Sequence, residues 1–268
     1  MSANLTRSEQ GGGLLYWLLY LKLFHYFPPF RIFRYLTFRT AFASLTALFT
    51  GLIVGPLVIN RLREFQISQY IREEGPKAHQ KKAGTPTMGG LLIAISIVIP
   101  TLLWADLSNR FVWIAVLSTS AFAAIGFADD YSKVVHRRNL GLTGKAKLGY
   151  QIASSIAVAV ALIAMQTRGM YSTKLLVPFI KQFHPDLVIN SVEHNPHLWP
   201  LAFLPFIAFV VLVIVGASNA VNLTDGLDGL AIGCTVIAAG ALAVLTYVSG
   251  HATFACTWNW SACPRWAS

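Results

Sequence analysis

Apolar residues gather in six long stretches, at residues 41–59, 88–104, 111–128, 148–165, 198–217 and 230–248, and none of them holds a Lys, Arg, Asp or Glu. A helix needs about 20 predominantly apolar residues to cross a hydrocarbon layer about 30 Å thick, so each stretch predicts a transmembrane helix. Helices are favoured over strands because a helix satisfies its own backbone in lipid. Ahead of them, residues 14–27 (LLYWLLYLKLFHYF) are aromatic-rich but interrupted by Lys22 and His25. That run is short for a crossing and predicts an interfacial helix ended by Pro28 and Pro29.

The polar connections alternate in charge. Arg61, Arg63, Arg72, Lys77, Lys81 and Lys82 lie between the first and second stretches, and Lys133, Arg137, Arg138, Lys145 and Lys147 between the third and fourth. Positive loops mark the cytoplasmic side. Arg31, Arg34 and Arg39 oppose that assignment from the other side. We let the two strongly basic loops decide. The expected fold is an all-α integral membrane protein: a polytopic bundle of about six transmembrane helices with an N-terminal interfacial helix. Residues 1–37 form the N-terminal segment, 38–250 the membrane domain and 251–268 an atypical tail. Residues 168–200, between the fourth and fifth stretches, include the β-prone Lys174 to Ile180 and predict a short surface hairpin.

Composition agrees. Of 268 residues, 55% are hydrophobic and 12% charged, and the mean hydropathy is +0.56, outside the range of ordinary soluble domains. The formal charge of +10 would suit nucleic acid, but the cations sit in loops between apolar runs, where they meet lipid headgroups. We therefore expect a lipid bilayer as partner and no nucleic acid. Three cysteines in no paired pattern give no disulfide framework. Residues 1–13 carry no pattern of a cleavable signal.

Three polar stretches then fall on one side. The first runs from Lys81 to Gly90 (KKAGTPTMGG). Its Gly and Pro fix a tight turn into the second helix, whose free N–H groups with Lys82 suit a phosphate. The plain alternative is a turn with interfacial lysines. The second is Asp129–Asp130 with Lys133 and Lys145. Placed at the C-terminal end of the third helix, two acids meet an unfavourable dipole that a bound cation would reverse. Mg²⁺ takes one or two carboxylates and completes its shell with phosphate oxygens and water. The plain alternative is two solvated acids offset by lysines. The third is Asn219, Asn222, Asp225 and Asp228, every third residue, which on one helix would share a face. Together they suggest phosphoryl transfer at a membrane surface, where a metal and positioned cations align two charged reactants.

The stretches GTPTMGG (84–90), ADDY (128–131) and SNAVNLTDGLDGLAIG (218–233) resemble the phospho-N-acetylmuramoyl-pentapeptide transferases of bacterial cell-wall synthesis, over about residues 14–255. That resemblance implies an inner-membrane enzyme, active on the cytoplasmic face. It would join UDP-N-acetylmuramoyl-pentapeptide to undecaprenyl phosphate with Mg²⁺ and release UMP. It implies Asp129 and Asp130 as the catalytic acids, and Asp129, Asp130 and Asp225 around the metal. Lys82, Thr87, Lys133, Lys145, Asn222, Asp225 and Asp228 would bind substrate. A homodimer is compatible with it. Two other readings stay open: a transferase using UDP-N-acetylglucosamine, and a non-catalytic membrane scaffold.

The resemblance stops after about Ala255. The family continues for about four more helices, with a third acid in a Gly-Asp-Thr-Gly-type loop and a His-rich motif. Residues 256–268 (CTWNWSACPRWAS) do not resemble that continuation. They read as the end of a shifted or prematurely closed frame, which the other DNA frames past codon 255 would test. A chain without those helices is expected to be nearly inactive alone. His251, Cys256 and Cys263 lack zinc-site spacing and a fourth ligand.

Overall fold

Apolar runs with no charge to hydrate fold as helices, each satisfying its own backbone. The computed structural model describes residues 12–23, 28–64, 88–135, 141–175, 185–189, 199–224 and 229–250. Along them run α1 (Leu14–Tyr16), α2 (Leu36–Glu64), α3 (Gly89–Trp104), α4 (Arg110–Val135), α5 (Gly144–Gln166), α6 (Trp199–Ala202), α7 (Leu204–Thr224) and α8 (Leu230–Gly250). Five of these, α2, α4, α5, α7 and α8, are long and apolar enough to cross a membrane. Leu52, Ile53 and Leu57 on α2 and Val236, Ile237 and Leu242 on α8 are exposed, as lipid-facing positions are. The chain is a multi-pass helical membrane protein.

The second expected crossing is shorter than the others. Its helix α3 has 16 residues, about 24 Å at 1.5 Å per residue. It is bounded by Met88, in the left-handed region at φ 72, and by Ala105 in extended backbone. The N-terminal segment also differs from the single interfacial helix expected over residues 14–27. One α-turn passes into a π-helix at Trp17–Leu23, and Pro28–Arg34 form a 3-10 helix. Residues 24–27 lie outside the described residues.

The chain divides into two compact units, residues 1–158 and 159–268, with α5 passing from one to the other. In the first, α2 and α3 pack as an antiparallel pair. Thr46 accepts a hydrogen bond from Trp104 Nε1 at 3.0 Å. Further along, a Cβ at Gly51 would stand 3.8 Å from Ser96 Oγ, and one at Gly55 3.4 Å from Leu92. Small residues let the two backbones approach. The hydroxyls of Thr40, Ser44, Thr46 and Thr50 donate to carbonyls four residues back, so none is stranded in the apolar layer. Phe33 and Phe42 meet edge to face, and both rings lie tilted against Trp104. Gly13 lies so close to the Leu103 carbonyl that a Cβ there would overlap it, which seats α1 at the same end of α3.

A turn capped by Asp106 joins α3 to α4. Asp106 Oδ1 accepts from the N–H and hydroxyl of Ser108, and Asn109 Oδ1 from the Phe111 N–H. From Arg110 the helix runs back. After about 28 Å, one hydrocarbon thickness, it reaches Asp129.

In the second unit, Val188, Ala202 and Phe203 form a small core with Ile163 and Ile207. Thr173 and Val188 both donate to Asp186 Oδ1. Of the expected surface hairpin, the described residues contain one antiparallel bridge, Lys174 with Asp186; residues 176–184 lie outside them, as do 251–268.

Candidate functional site

The sequence places the two acids at a helix end, but α4 continues past them to Val135. The reason is local. Lys133 stands three and four residues after the acids, where side chains on a helix meet. Its Nζ lies 2.8 Å from Asp130 Oδ1 and 2.9 Å from Asp129 Oδ2. One ammonium thus bridges both carboxylates and offsets their mutual repulsion. It also places a cation in the last turn, where the dipole favours one.

The chain then returns to the same acids. Residues 136–140 lie outside the described residues. From Gly141 the backbone passes against Asp129, and the Leu142 N–H donates to Asp129 Oδ1 at 2.9 Å. Thr143 immediately precedes α5, its hydroxyl accepting from the Ala146 N–H at 3.4 Å. This start sets Lys147 on the side facing α4, its Nζ 3.6 Å from Asp129 Oδ2. Lys145, two positions earlier, is exposed. Two residues is more than half a turn of helix, so these lysines cannot face the same way.

The expected residues therefore divide. Asp129, Asp130 and Lys133 come together. Lys145 lies on the first turn of the neighbouring helix. Asn222 is exposed in the second unit, near the end of α7, one turn beyond Asn219, whose amide donates to the Val215 carbonyl at 2.9 Å. Lys82, Thr87, Asp225 and Asp228 lie outside the described residues. Gly229, just before α8, has φ +82, a conformation glycine adopts without cost. Among the described residues no three of His, Cys, Asp and Glu gather as metal ligands would.

Lys147 and the Gly141–Leu142 backbone went unassigned in the sequence. The signal for Lys147 is present in GKAK, where two alternating lysines on one helix point to different sides. The backbone donor carries no signature in residue type.

Two adjacent carboxylates bridged by one lysine, with a second lysine beside them, thus stand about one hydrocarbon thickness along α4 from the Asp106 turn. The chain belongs to glycosyl transferase family 4, whose profile matches residues 112–262. Residues 82–93 match signature 1 of the phospho-N-acetylmuramoyl-pentapeptide-transferases. It is 72% identical over 244 residues to the phospho-N-acetylmuramoyl-pentapeptide-transferase of Koribacter versatilis, covering 90% of this chain and 64% of that protein. It is 72% identical over 242 residues to the protein of that name from Acidobacterium capsulatum, and 61% identical over 242 residues to that from Solibacter usitatus, with the same coverage. The chain thus spans 64% of the length of these relatives.

Proposed function

We propose that the chain carries the Asp–Asp half of a site for transferring phospho-N-acetylmuramoyl-pentapeptide from its UDP donor to undecaprenyl phosphate. The site would stand on the cytoplasmic face of the bacterial inner membrane. A phosphate oxygen of the lipid attacks the sugar-bearing phosphorus of the donor. A P–O bond forms there, and the bond to the bridging oxygen breaks, releasing UMP and the lipid-linked muramoyl-pentapeptide. The observation that carries this reading is the Asp129–Lys133–Asp130 cluster, supported by the signature at residues 82–93.

The residues divide the work by chemistry. Between them, Asp129 and Asp130 accept any proton left on the attacking phosphate and supply hard oxygen ligands. Those ligands fit Mg²⁺, which prefers one or two carboxylates with phosphate oxygens beside them. When bound, Mg²⁺ neutralises charge developing on the diphosphate. Lys133 holds the carboxylates in one geometry, and Lys82, Thr87 and Lys145 contact the phosphates and uridine. Asn222, Asp225 and Asp228 serve the nucleotide, and Asp225 the metal, on the strength of the sequence resemblance alone. A homodimer belongs to the same reading.

Transfer of radiolabelled UDP-N-acetylmuramoyl-pentapeptide to undecaprenyl phosphate in detergent tests this. The chain continued with the C-terminal third of the Koribacter versatilis relative should form labelled lipid and UMP in equal amounts. Asp129→Asn and Asp130→Asn should each suppress it. A continued chain that uses UDP-N-acetylglucosamine in preference would replace this donor assignment, and one inert with both donors would refute the transferase reading.

A further inference from the structure

Gly141 marks the tightest approach in the cluster. A Cβ there would overlap Asp129 Oδ1 and stand 2.7 Å from the Asp129 carbonyl oxygen and 2.8 Å from its carboxyl carbon. No side chain fits unless the loop itself moves, because turning the carboxylate away still leaves the Asp129 carbonyl oxygen in its path. The next residue, Leu142, donates its N–H to the same Oδ1. Oδ2 meanwhile faces Lys133 at 2.9 Å and Lys147 at 3.6 Å. Three donors thus converge on the two oxygens of Asp129, from two helices and the loop between them.

Asp130 is held differently. It gives Oδ1 to Lys133, and its side chain is 32% exposed against 13% for Asp129. A carboxylate whose lone pairs are directed at fixed donors is poorly placed to take a metal or a proton as well. The more exposed neighbour, oriented through a shared lysine, can turn an oxygen outward. We propose that Gly141, Leu142 and Lys147 are positioning residues that clamp Asp129 as a fixed counter-charge for Lys133. Asp130 is then the acid that meets the metal-bound phosphate. This division rests on the transferase reading given above; the clamp itself does not.

Two measurements on the 268-residue chain in detergent separate these layers. The first is a cycle of thermal unfolding midpoints for Gly141→Ala, Asp129→Ala and the double variant. Contact between the two residues predicts that Gly141→Ala lowers the midpoint, and that its effect shrinks once the carboxylate is gone, the remainder coming from the Asp129 carbonyl oxygen. An equal loss in both backgrounds overturns the clamp. The second is Mn²⁺ binding followed by electron paramagnetic resonance, with Mn²⁺ alone as probe. Asp130→Asn should weaken binding more than about 100-fold, and Gly141→Ala and Asp129→Asn by about tenfold, the range seen when groups supporting a metal ligand are removed. Lys147→Gln adds no atom to the loop and should also weaken binding, so the proposal stays testable if Gly141→Ala fails to fold. If Asp129→Asn abolishes binding as fully as Asp130→Asn, the division of roles is overturned. A parent chain that binds no Mn²⁺ overturns the Asp130 assignment together with the metal reading, while the unfolding cycle still decides the clamp.

Discussion

Lys133 Nζ lies 2.9 Å from Asp129 Oδ2, one helical turn along α4. The same ammonium reaches Asp130 Oδ1 at 2.8 Å, so a single cation holds two adjacent carboxylates that would otherwise repel. Around that bridge the Leu142 N–H closes from the loop and Lys147 from the next helix. The cluster is more enclosed at Asp129 and more open at Asp130.

Removing the bridge should disable the site without unfolding it. Charge-assisted hydrogen bonds are worth about 1.5–3 kcal/mol, so Lys133→Met should cut transfer about 10- to 100-fold in the continued chain. Lys133→Arg should recover little, because a planar fork replaces a compact ammonium. Steady-state transfer rates check both. A Lys133→Met variant at the parent rate would remove the bridge from the mechanism.

Lys145 and Lys147 should separate kinetically. Lys145 is exposed on the first turn of α5, free to meet a donor phosphate. Lys145→Gln should raise KM for the UDP donor while kcat stays within about threefold, the pattern of lost ground-state binding. Lys147 faces Asp129, so Lys147→Gln should lower kcat more than it raises KM. The reverse pattern would exchange their roles.

The fold was largely legible because lipid leaves the chain few options. Uncharged runs near crossing length became helices. The exceptions have physical causes. The stretch 88–104 yields only 16 helical residues, since Met88 and Ala105 leave helical geometry on either side. The helix bearing Asp129 outlasts its apolar run, because the spacing of Lys133 from both acids lets polar residues continue it. That pairing is visible in the sequence as an i, i+3 and i, i+4 pattern, yet two acids followed by a basic segment read as the C-terminal end of the helix. The Leu142 N–H is a backbone donor, and nothing in residue identity marks it. Gly141 shows as a glycine, without the neighbour that requires one.

The α2–α3 pair makes a separate stability prediction. Trp104 Nε1 donates to Thr46 Oγ1 across two helices that also approach at Gly51 and Gly55. Interhelical hydrogen bonds in membranes average about 0.6 kcal/mol. A double-mutant cycle of Thr46→Val and Trp104→Phe, read by unfolding in mixed micelles, should return a coupling near that value. A coupling indistinguishable from zero would mean that aromatic packing alone holds this end.

Metal withdrawal should act on chemistry and leave the helices folded. With EDTA, transfer by the continued chain should fall more than about 100-fold, as expected when the Lewis acid that offsets diphosphate charge is lost. Excess Mg²⁺ should restore it, and the helical circular dichroism signal should not change. Full activity in EDTA would exclude a metal-dependent site.

The central claim is that the acid pair works at the cytoplasmic surface, a hydrocarbon thickness from the Asp106 turn. Single cysteines at Lys82→Cys, Lys145→Cys and Ser108→Cys, in a chain whose own Cys234, Cys256 and Cys263 are serine, test it with a membrane-impermeant maleimide. Positions 82 and 145 should label only in inverted vesicles, and position 108 only in right-side-out ones. Labelling of position 145 from outside, or of positions 108 and 145 from the same side, would contradict the account.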